Sequence, residues 1–464
     1  MENIYSALLY LGGWPLATLL IAGGIYFTIR TKFPQLRLFL ESIRVVSEKP
    51  AKAGSVSSFG ALMISTASRV GTGNIIGVST AICFGGAGAV FWMWLTAIIG
   101  GASAFVESTL AQIYKKRNAD GSSFGGPAFY IESACKNKFL AVVFSVALIF
   151  TYGVGYNMLA SYNLQSSFAT FKFYQPHYCW YFGIATSLLF LFTILGGSRA
   201  LVKTTGILVP VMGVIYILFA VGALVINHSA ILPMLKNIFV SAFDFKAIAG
   251  GFAGSCVMWG LKRGLYSNEA GIGSAPNAAA AADVSHPVKQ GLVQMLSVFI
   301  DTNLICMATA VMCLVSGAEV NSSVAGAQYV QNALSMTYGS FGPIFIACAM
   351  VLFAYTTLLG NFYYVESSIF YIIGKQPGKA VLVCIRVIGA VLILLGASLK
   401  MEHAWNVADI AQCVLAFINI PVCIIIGKAA YTALDDYVAQ KKAGKNPVYK
   451  AADNGINAET DYWN

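Results

Sequence analysis

Two glycine-rich stretches hold the residue types and spacings that could do chemistry. Residues 68–79 read SRVGTGNIIGVS, with glycines at 71, 73 and 77 beside Arg69 and Asn74. Residues 250–276 read GGFAGSCVMWGLKRGLYSNEAGIGSAP, with seven glycines and the charged group Lys262, Arg263 and Glu269. Both lie in long apolar runs, where glycine weakens a helix. In a bilayer every backbone group must be hydrogen-bonded internally unless it lines a protein cavity. A helix broken there exposes N–H groups on one half and C=O groups on the other. The N–H end carries the positive end of the helix dipole and suits a carboxylate. The C=O end suits Na⁺ or an ammonium group, so one break offers partners for both ends of a zwitterion. Glycines alone fit a close-packed helix contact equally well. Arg69 and Asn74 in the same turn favour a site, because buried polar groups in membranes are costly and usually functional.

The elements that must position these stretches follow from composition. Of 464 residues, 58% are hydrophobic and only 10% are charged, with mean hydropathy +0.72. A soluble domain carries about 25% charged residues. The chain therefore reads as an all-α polytopic membrane protein, since a β-barrel would show short alternating segments instead. The start, MENIYSALLYLGG, has neither a basic opening nor a small-residue cleavage site, so no signal peptide is expected. Ten cysteines are scattered without a CxxC pair, and the four histidines (177, 228, 286, 403) stand far apart. No metal cluster, disulfide framework or catalytic triad is expected.

At about 20 apolar residues per span, eleven spans are read: roughly 12–30, 57–82, 88–112, 139–166, 178–196, 204–227, 248–275, 287–316, 338–372, 380–398 and 404–430. From about 431 the chain turns polar and reads as a loose tail. Twenty-two lysines and arginines fall in one alternating set of loops and four in the other. By the positive-inside rule the N-terminus is outside and the C-terminus cytoplasmic. The net charge of +10 thus serves orientation, and nucleic acid is not needed to explain it.

Each glycine-rich stretch opens a five-helix block, 57–227 and 248–430, after a peripheral segment 1–56 and before the tail 431–464. Five is odd, so the second block enters inverted. Interrupted helices at matching places in two inverted halves point to a secondary transporter with its site at mid-membrane.

The chain resembles the alanine or glycine:cation symporter family, within the amino acid-polyamine-organocation superfamily. The resemblance rests on RVGTGNIIGV (69–78), GAGAVFWMW (86–94), GLKRGLYSNEAGIGSAP (260–276), HPVKQGLVQMLSVFIDT (286–302) and TTLLGNFYYVE (356–366). It implies the leucine-transporter-type 5+5 inverted repeat with one extra N-terminal helix. It also implies Na⁺-driven uptake of small neutral amino acids across a bacterial or archaeal inner membrane. By that likeness the amides of Thr72 and Gly73, with Asn74 alongside, would hold the substrate carboxylate. The carbonyls of Ala67 and Val70 would face Na⁺, with Thr356 and Thr357 supplying hydroxyls. Hard oxygen ligands suit a hard cation. Threonines in membrane helices also bond back to their own carbonyls, and that alternative stands beside the first. The substrate amine would meet carbonyls around Ser255 to Trp259. Asn157, Ser161 and Tyr162 would form one wall, or else bond between helices.

One departure bears on the substrate. Many family members read S-T-x-x-G-W where this chain has Thr356-Thr357-Leu358-Leu359-Gly360-Asn361. An amide in place of a bulky ring admits a larger or more polar neutral side chain than alanine or glycine, such as glutamine. Arg69 needs a partner or water; Glu107, Asp301 and Glu366 lie within spans, and one of them is its expected partner. Lys262 and Arg263 read as near a cytoplasmic gate. Proton coupling is the variant reading of the carrier, and a solute channel is the alternative class. An intramembrane enzyme lacks any catalytic constellation. Besides Na⁺, no cofactor is expected. The substrate, Na⁺ and the lipid bilayer are the expected partners, and the oligomeric state is not legible.

Overall fold

The computed structural model describes residues 12–50, 55–118, 121–244, 255–374, 377–456 and 460–463, with backbone only at 198 and 199. Among the described residues, eight helices are long and apolar enough to cross a membrane: Gly88–Ile113, Lys138–Ser166, Pro176–Ile194, Ala200–Ile226, Pro287–Val315, Phe341–Ile373, Lys379–Gly396 and Met401–Ile426. Trp14–Arg30 is apolar but shorter. The two remaining expected spans are each split. The first runs as Ser58–Arg69, then Gly73–Gly77 and Val78–Gly85. The second runs as Cys256–Asn268 and Ala275–Ala281. Gly250, Gly251 and Gly254 lie outside the described residues.

Pro287–Val315 and Phe341–Ile373 are the most buried spans, and both stand against the first broken helix. Ala200–Ile226 and Lys379–Gly396 are peripheral, with residues such as Leu218 and Val391 facing outward as lipid contact requires. Glycines bring the elements close. A Cβ at Gly260 would lie 2.5 Å from the Ala89 carbonyl oxygen, and one at Gly264 3.0 Å from Thr96 Oγ1. These two let Cys256–Asn268 pack directly on Gly88–Ile113, as small residues four apart do in membranes.

Segments outside the expected spans depart from the sequence reading. Ile231–Ala242 and Ala327–Tyr338 are helices where loops were expected. The tail is not loose: Lys428–Lys442 is a helix, and Tyr449, Ala451 and Trp463 beyond it are buried. Its polarity concealed an apolar stripe, Ala430, Ala433, Leu434 and Tyr437, at helical spacing. The helix bearing that stripe packs on Gly88–Ile113 and Pro287–Val298, and Glu41 of the short helix Phe39–Val46 accepts from Tyr437 (2.5 Å) and pairs with Arg44 (2.6 Å) and Lys441 (3.2 Å). Burial alone would raise the Glu41 carboxyl, but these hydrogen bonds outweigh it and hold it at about 2.

Candidate functional site

The first break forms at Val70, whose ψ of 89° leaves the helix. Asn74 pins it. Its Oδ1 accepts from the Gly71 N–H at 2.7 Å, and its Nδ2 donates to Asp301 Oδ1 at 2.7 Å. Thr309 Oγ1 donates to the Asn74 carbonyl at 2.7 Å. Asn74 thus ties the break to the Pro287–Val315 span. Thr72 Oγ1 accepts from Asn163 Nδ2 at 2.9 Å. Gly73 lies under the Tyr266 ring, where a Cβ would come within 2.6 Å of Cε1.

Phe341–Ile373 meets the break along one face. A Cβ at Gly360 would lie 2.5 Å from the Ser68 nitrogen and 3.0 Å from the Ala67 carbonyl carbon. One turn earlier, Thr357 sits over Gly71, at 2.0 Å from the place a Cβ there would take. Ala67 and Val70 fall within this contact zone. Thr357 Oγ1 is buried and, among the described residues, has no hydrogen-bond partner. Thr356 differs: its hydroxyl donates to the Leu352 (3.0 Å) and Phe353 (3.2 Å) carbonyls and turns toward Met212. The back-bonding alternative therefore describes Thr356, and the open hydroxyl is that of Thr357.

Asn361 is fully buried at a crossing of three helices. Its Oδ1 accepts from Ser68 Oγ at 2.6 Å, and its Nδ2 donates to Asn157 Oδ1 at 3.0 Å. Ser68 Oγ also reaches Glu269 Oε1 at 3.0 Å, and Ser274 Oγ donates to Glu269 Oε2 at 2.7 Å. The chain from Asn157 to Ser274 joins both breaks. Asn157 Nδ2 and Ser161 Oγ, one helical turn apart, are buried without partners among the described residues. Unsatisfied buried polar atoms are costly, and here they gather where the two breaks meet.

The second break lies at 269–274. Glu269 (φ 54°), Gly271 (φ 87°) and Gly273 (φ 83°) take left-handed backbone, which glycine adopts freely. Glu107 accepts from the freed amides of Gly271 (3.4 Å) and Gly273 (3.1 Å) and from Asn419 Nδ2 (2.7 Å). Ser255 and Trp259 are not brought to this centre. Ser255 caps Cys256–Asn268, and the Trp259 ring stacks on Phe84 at 4.8 Å, at the Gly85 end of the first broken helix. Ten residues of helix separate Trp259 from Glu269, about 15 Å.

Arg69 does not find the expected carboxylate. Its Nη1 approaches the Gln294 oxygens at 3.4 and 3.5 Å, and among the described residues Nε and Nη2 have no partner. Glu366 is taken by Arg386 at 2.8 Å, Asp301 by Asn74, Ser267 and Thr302, and Glu107 by the second break. The centre thus holds Glu107, Glu269 and Asp301 against Arg69, a formal excess of negative charge.

Toward the Gly85 end the centre is roofed. The rings of Tyr156 and Tyr266 are 4.8 Å apart, and those of Tyr266 and Trp405 are 4.7 Å apart. Arg263 lies 4.0 Å over Trp405 and pairs with Asp409 at 3.1 Å. Arg263 stands with Trp259 and Trp405 at the Gly85 end of the first broken helix, on the far side of the second break from Ala275–Ala281. The reason is that the helix breaks after it, at 269. Sequence reasoning missed Ser68, Tyr266, Trp405 and Asp409. An acid inside an apolar span was the available signal for Asp409.

The profile of the sodium:alanine symporter family matches residues 2–451. The chain belongs to that family. It is 41% identical to the amino-acid carrier protein AlsT of Bacillus subtilis, over 97% of this chain and 96% of the relative. It is 39% identical to the probable sodium/glutamine symporter GlnT of the same organism, over 94% and 90%. The crystal structure of MhsT in complex with L-phenylalanine shares the fold, with TM-score 0.53 and 15% identity over 90% of this chain and 94% of that one. The leucine-transporter fold is therefore the right one, and the protein is a multi-pass membrane transporter, not an enzyme.

Proposed function

We propose that the protein carries a small neutral amino acid inward together with Na⁺, by alternating access around the two breaks. The observation that carries this is the set of buried, unpartnered polar atoms where the breaks meet, above all Thr357 Oγ1 over Gly71. In this reading Na⁺ sits between Thr357 and the carbonyls of Ala67 and Val70. The substrate carboxylate meets the amides of Thr72 and Gly73. The excess of carboxylates over guanidinium favours a cation in this low-dielectric centre. The ammonium group meets the second break near Glu269, which takes over the role expected of Ser255 and Trp259. Asn157, Ser161 and Asn361 face the side chain. Their amides and hydroxyl suit alanine and leave room for a polar neutral side chain such as glutamine, and the family includes a relative named for glutamine.

The Arg263–Asp409 pair and the Tyr156, Tyr266 and Trp405 rings close the outer path in this reading. The N-terminus is outside and the C-terminus cytoplasmic, by the distribution of basic residues. Two five-helix repeats of opposite orientation, 57–227 and 248–430, rock against each other. The test is uptake of labelled alanine and glutamine into proteoliposomes under an inward Na⁺ gradient. Uptake that saturates, needs Na⁺ and collapses when choline replaces Na⁺ supports the proposal. Uptake driven equally by a proton gradient without Na⁺ would assign the coupling to H⁺.

A further inference from the structure

A cavity of about 360 Å³ opens on the side opposite the Arg263–Asp409 roof. Its walls include Val56, before the first broken helix, and Asp283, after the second. They also include Glu366 and Ser367 of Phe341–Ile373. Further wall comes from the loop after Gly88–Ile113, between Arg117 and Phe124, and from Tyr462 and Trp463 toward the far end of the chain.

This end is held by specific contacts. Trp463 Nε1 donates to the Gln112 carbonyl at 2.7 Å, and the Trp463 carbonyl accepts from Ala451 N at 2.7 Å. Asp461 pairs with Lys116 at 3.1 Å and accepts from the Arg117 N–H at 3.1 Å. The Arg117 guanidinium covers the Tyr462 ring at 4.4 Å. Lys115 is almost fully buried, with its ammonium 4.5 Å from the Tyr462 ring centre and 5.1 Å from that of Trp463.

The same Lys115 donates to the Ala282 carbonyl at 2.9 Å, and Gln112 Nε2 donates to that carbonyl at 2.9 Å. Ala282 ends the inner half of the second broken helix. It bridges Val56 in parallel, and Asp283 N donates to the Val56 carbonyl at 2.9 Å. Val56 leads into Ser58–Arg69, the inner half of the first broken helix. One run of contacts therefore joins the tail to both inner half-helices.

We propose that the C-terminal segment bearing Tyr462 and Trp463 is a latch that restrains opening of the cavity between the two inner half-helices. This rests on the alternating-access reading, in which those halves part to release cargo. With the rings in place, Lys115 is sheltered and grips Ala282. With the rings away, Lys115 is hydrated, its grip weakens, and the Val56–Ala282 bridge is free to part. Cation–π contacts and a hydrogen bond between partly buried groups are of a size to bias such a step.

The test is the rate at which a charged, membrane-impermeant thiol reagent modifies a cysteine placed in the cavity wall. Ser367→Cys is introduced into the full-length chain with its native cysteines replaced, and modification is followed without substrate. Trp463→Ala is expected to raise the rate roughly fivefold to tenfold, from the lost cation–π contact and hydrogen bond. An unchanged or slower rate overturns the proposal. If Trp463→Ala does not yield monodisperse protein, Asp461→Lys replaces it. That variant breaks the exposed pair with Lys116 and leaves the rings intact. A rise of about twofold is expected from so exposed a pair, and no rise overturns the latch. Na⁺-driven alanine uptake by the unmodified protein is measured in parallel. Its absence would count against the transport reading, whereas the labelling comparison does not depend on transport.

Discussion

The contact between Thr357 and Gly71 gives the sharpest test of the ion site. A Cβ at Gly71 would lie 2.0 Å from Thr357 Oγ1, 3.4 Å from its Cγ2 and 3.1 Å from its Cβ. The first distance cannot stand, so Gly71→Ala must push the helices apart or rotate the threonine. Overpacking of this kind costs ~1–3 kcal/mol, which is roughly 5- to 150-fold in an equilibrium constant at about 1.4 kcal/mol per decade. Thr357→Ala removes Oγ1 and Cγ2 and leaves the 3.1 Å contact, which a shift of a few tenths of an ångström relieves. It also removes an ion ligand, so the Na⁺ concentration for half-maximal uptake should rise by about tenfold or more, as for one lost hydrogen bond to a charge. The two substitutions should therefore couple. Gly71→Ala alone should nearly abolish uptake, while adding it to Thr357→Ala should change the Na⁺ dependence by less than about threefold. The assay is initial uptake rate against Na⁺ concentration in proteoliposomes for the four forms. If the penalties multiply in the double variant, Thr357 does not face Gly71, and the ion-site assignment fails with it.

Other outcomes follow from the same geometry. Asn361→Ala leaves Asn157 Oδ1 without its donor and Ser68 Oγ with Glu269 alone, a loss of ~1–3 kcal/mol; competition against labelled alanine should show glutamine weakened more than alanine, and matching inhibition profiles would clear Asn361 of any role in selectivity. Asp409→Ala leaves the Arg263 guanidinium buried and unpaired, which should cut uptake by about 100-fold; the charge swap Arg263→Asp with Asp409→Arg should recover part of it, and no recovery would mean the pair does not close the outer path. The tail should loosen in acid. Burial lowers His286 to about 4 against the pull of Asp436 on the docked helix Lys428–Lys442. This base binds its proton more weakly with the tail docked, so docking stability is lost as pH falls from about 6.5 to 4. Proteolysis of the tail should therefore accelerate between about pH 7 and about pH 5, and a flat profile would show that His286 does not titrate with docking.

The two breaks were legible as a pair, but only one was legible in place. Gly71 and Gly73 stand one residue apart, and so do Gly271 and Gly273; both pairs mark where the backbone leaves the helix. Gly260 and Gly264 stand four apart, and both serve close packing on Gly88–Ile113. Composition alone merges these four later glycines into one rich stretch, which drew the expected substrate contacts toward Ser255 and Trp259. Spacing separates them: Gly271 and Gly273 both take positive φ, and Gly71 and Gly73 make room for Thr357 and Tyr266 at a break, whereas G-xxx-G clears one face of a continuous helix. The tail was misread for a related reason. Its charge was weighed as a total, while Ala430, Ala433, Leu434 and Tyr437 carry an order that only helical periodicity exposes.

What no pattern in one sequence could supply is which buried polar groups satisfy each other. Thr356 and Thr357 are adjacent and chemically identical, yet one is bonded to its own helix and the other faces Gly71. Successive helical positions point about 100° apart, so the two hydroxyls meet different neighbours here. The packing glycine at 360 decides between them. It brings the face bearing Thr357 against Ser68, three residues on, and turns Thr356 toward Met212. Thr356→Ala should therefore raise the Na⁺ requirement less than Thr357→Ala does. Equal effects would mean that Thr356 rotates off the Leu352 carbonyl when Na⁺ arrives, and that the ion draws on both hydroxyls.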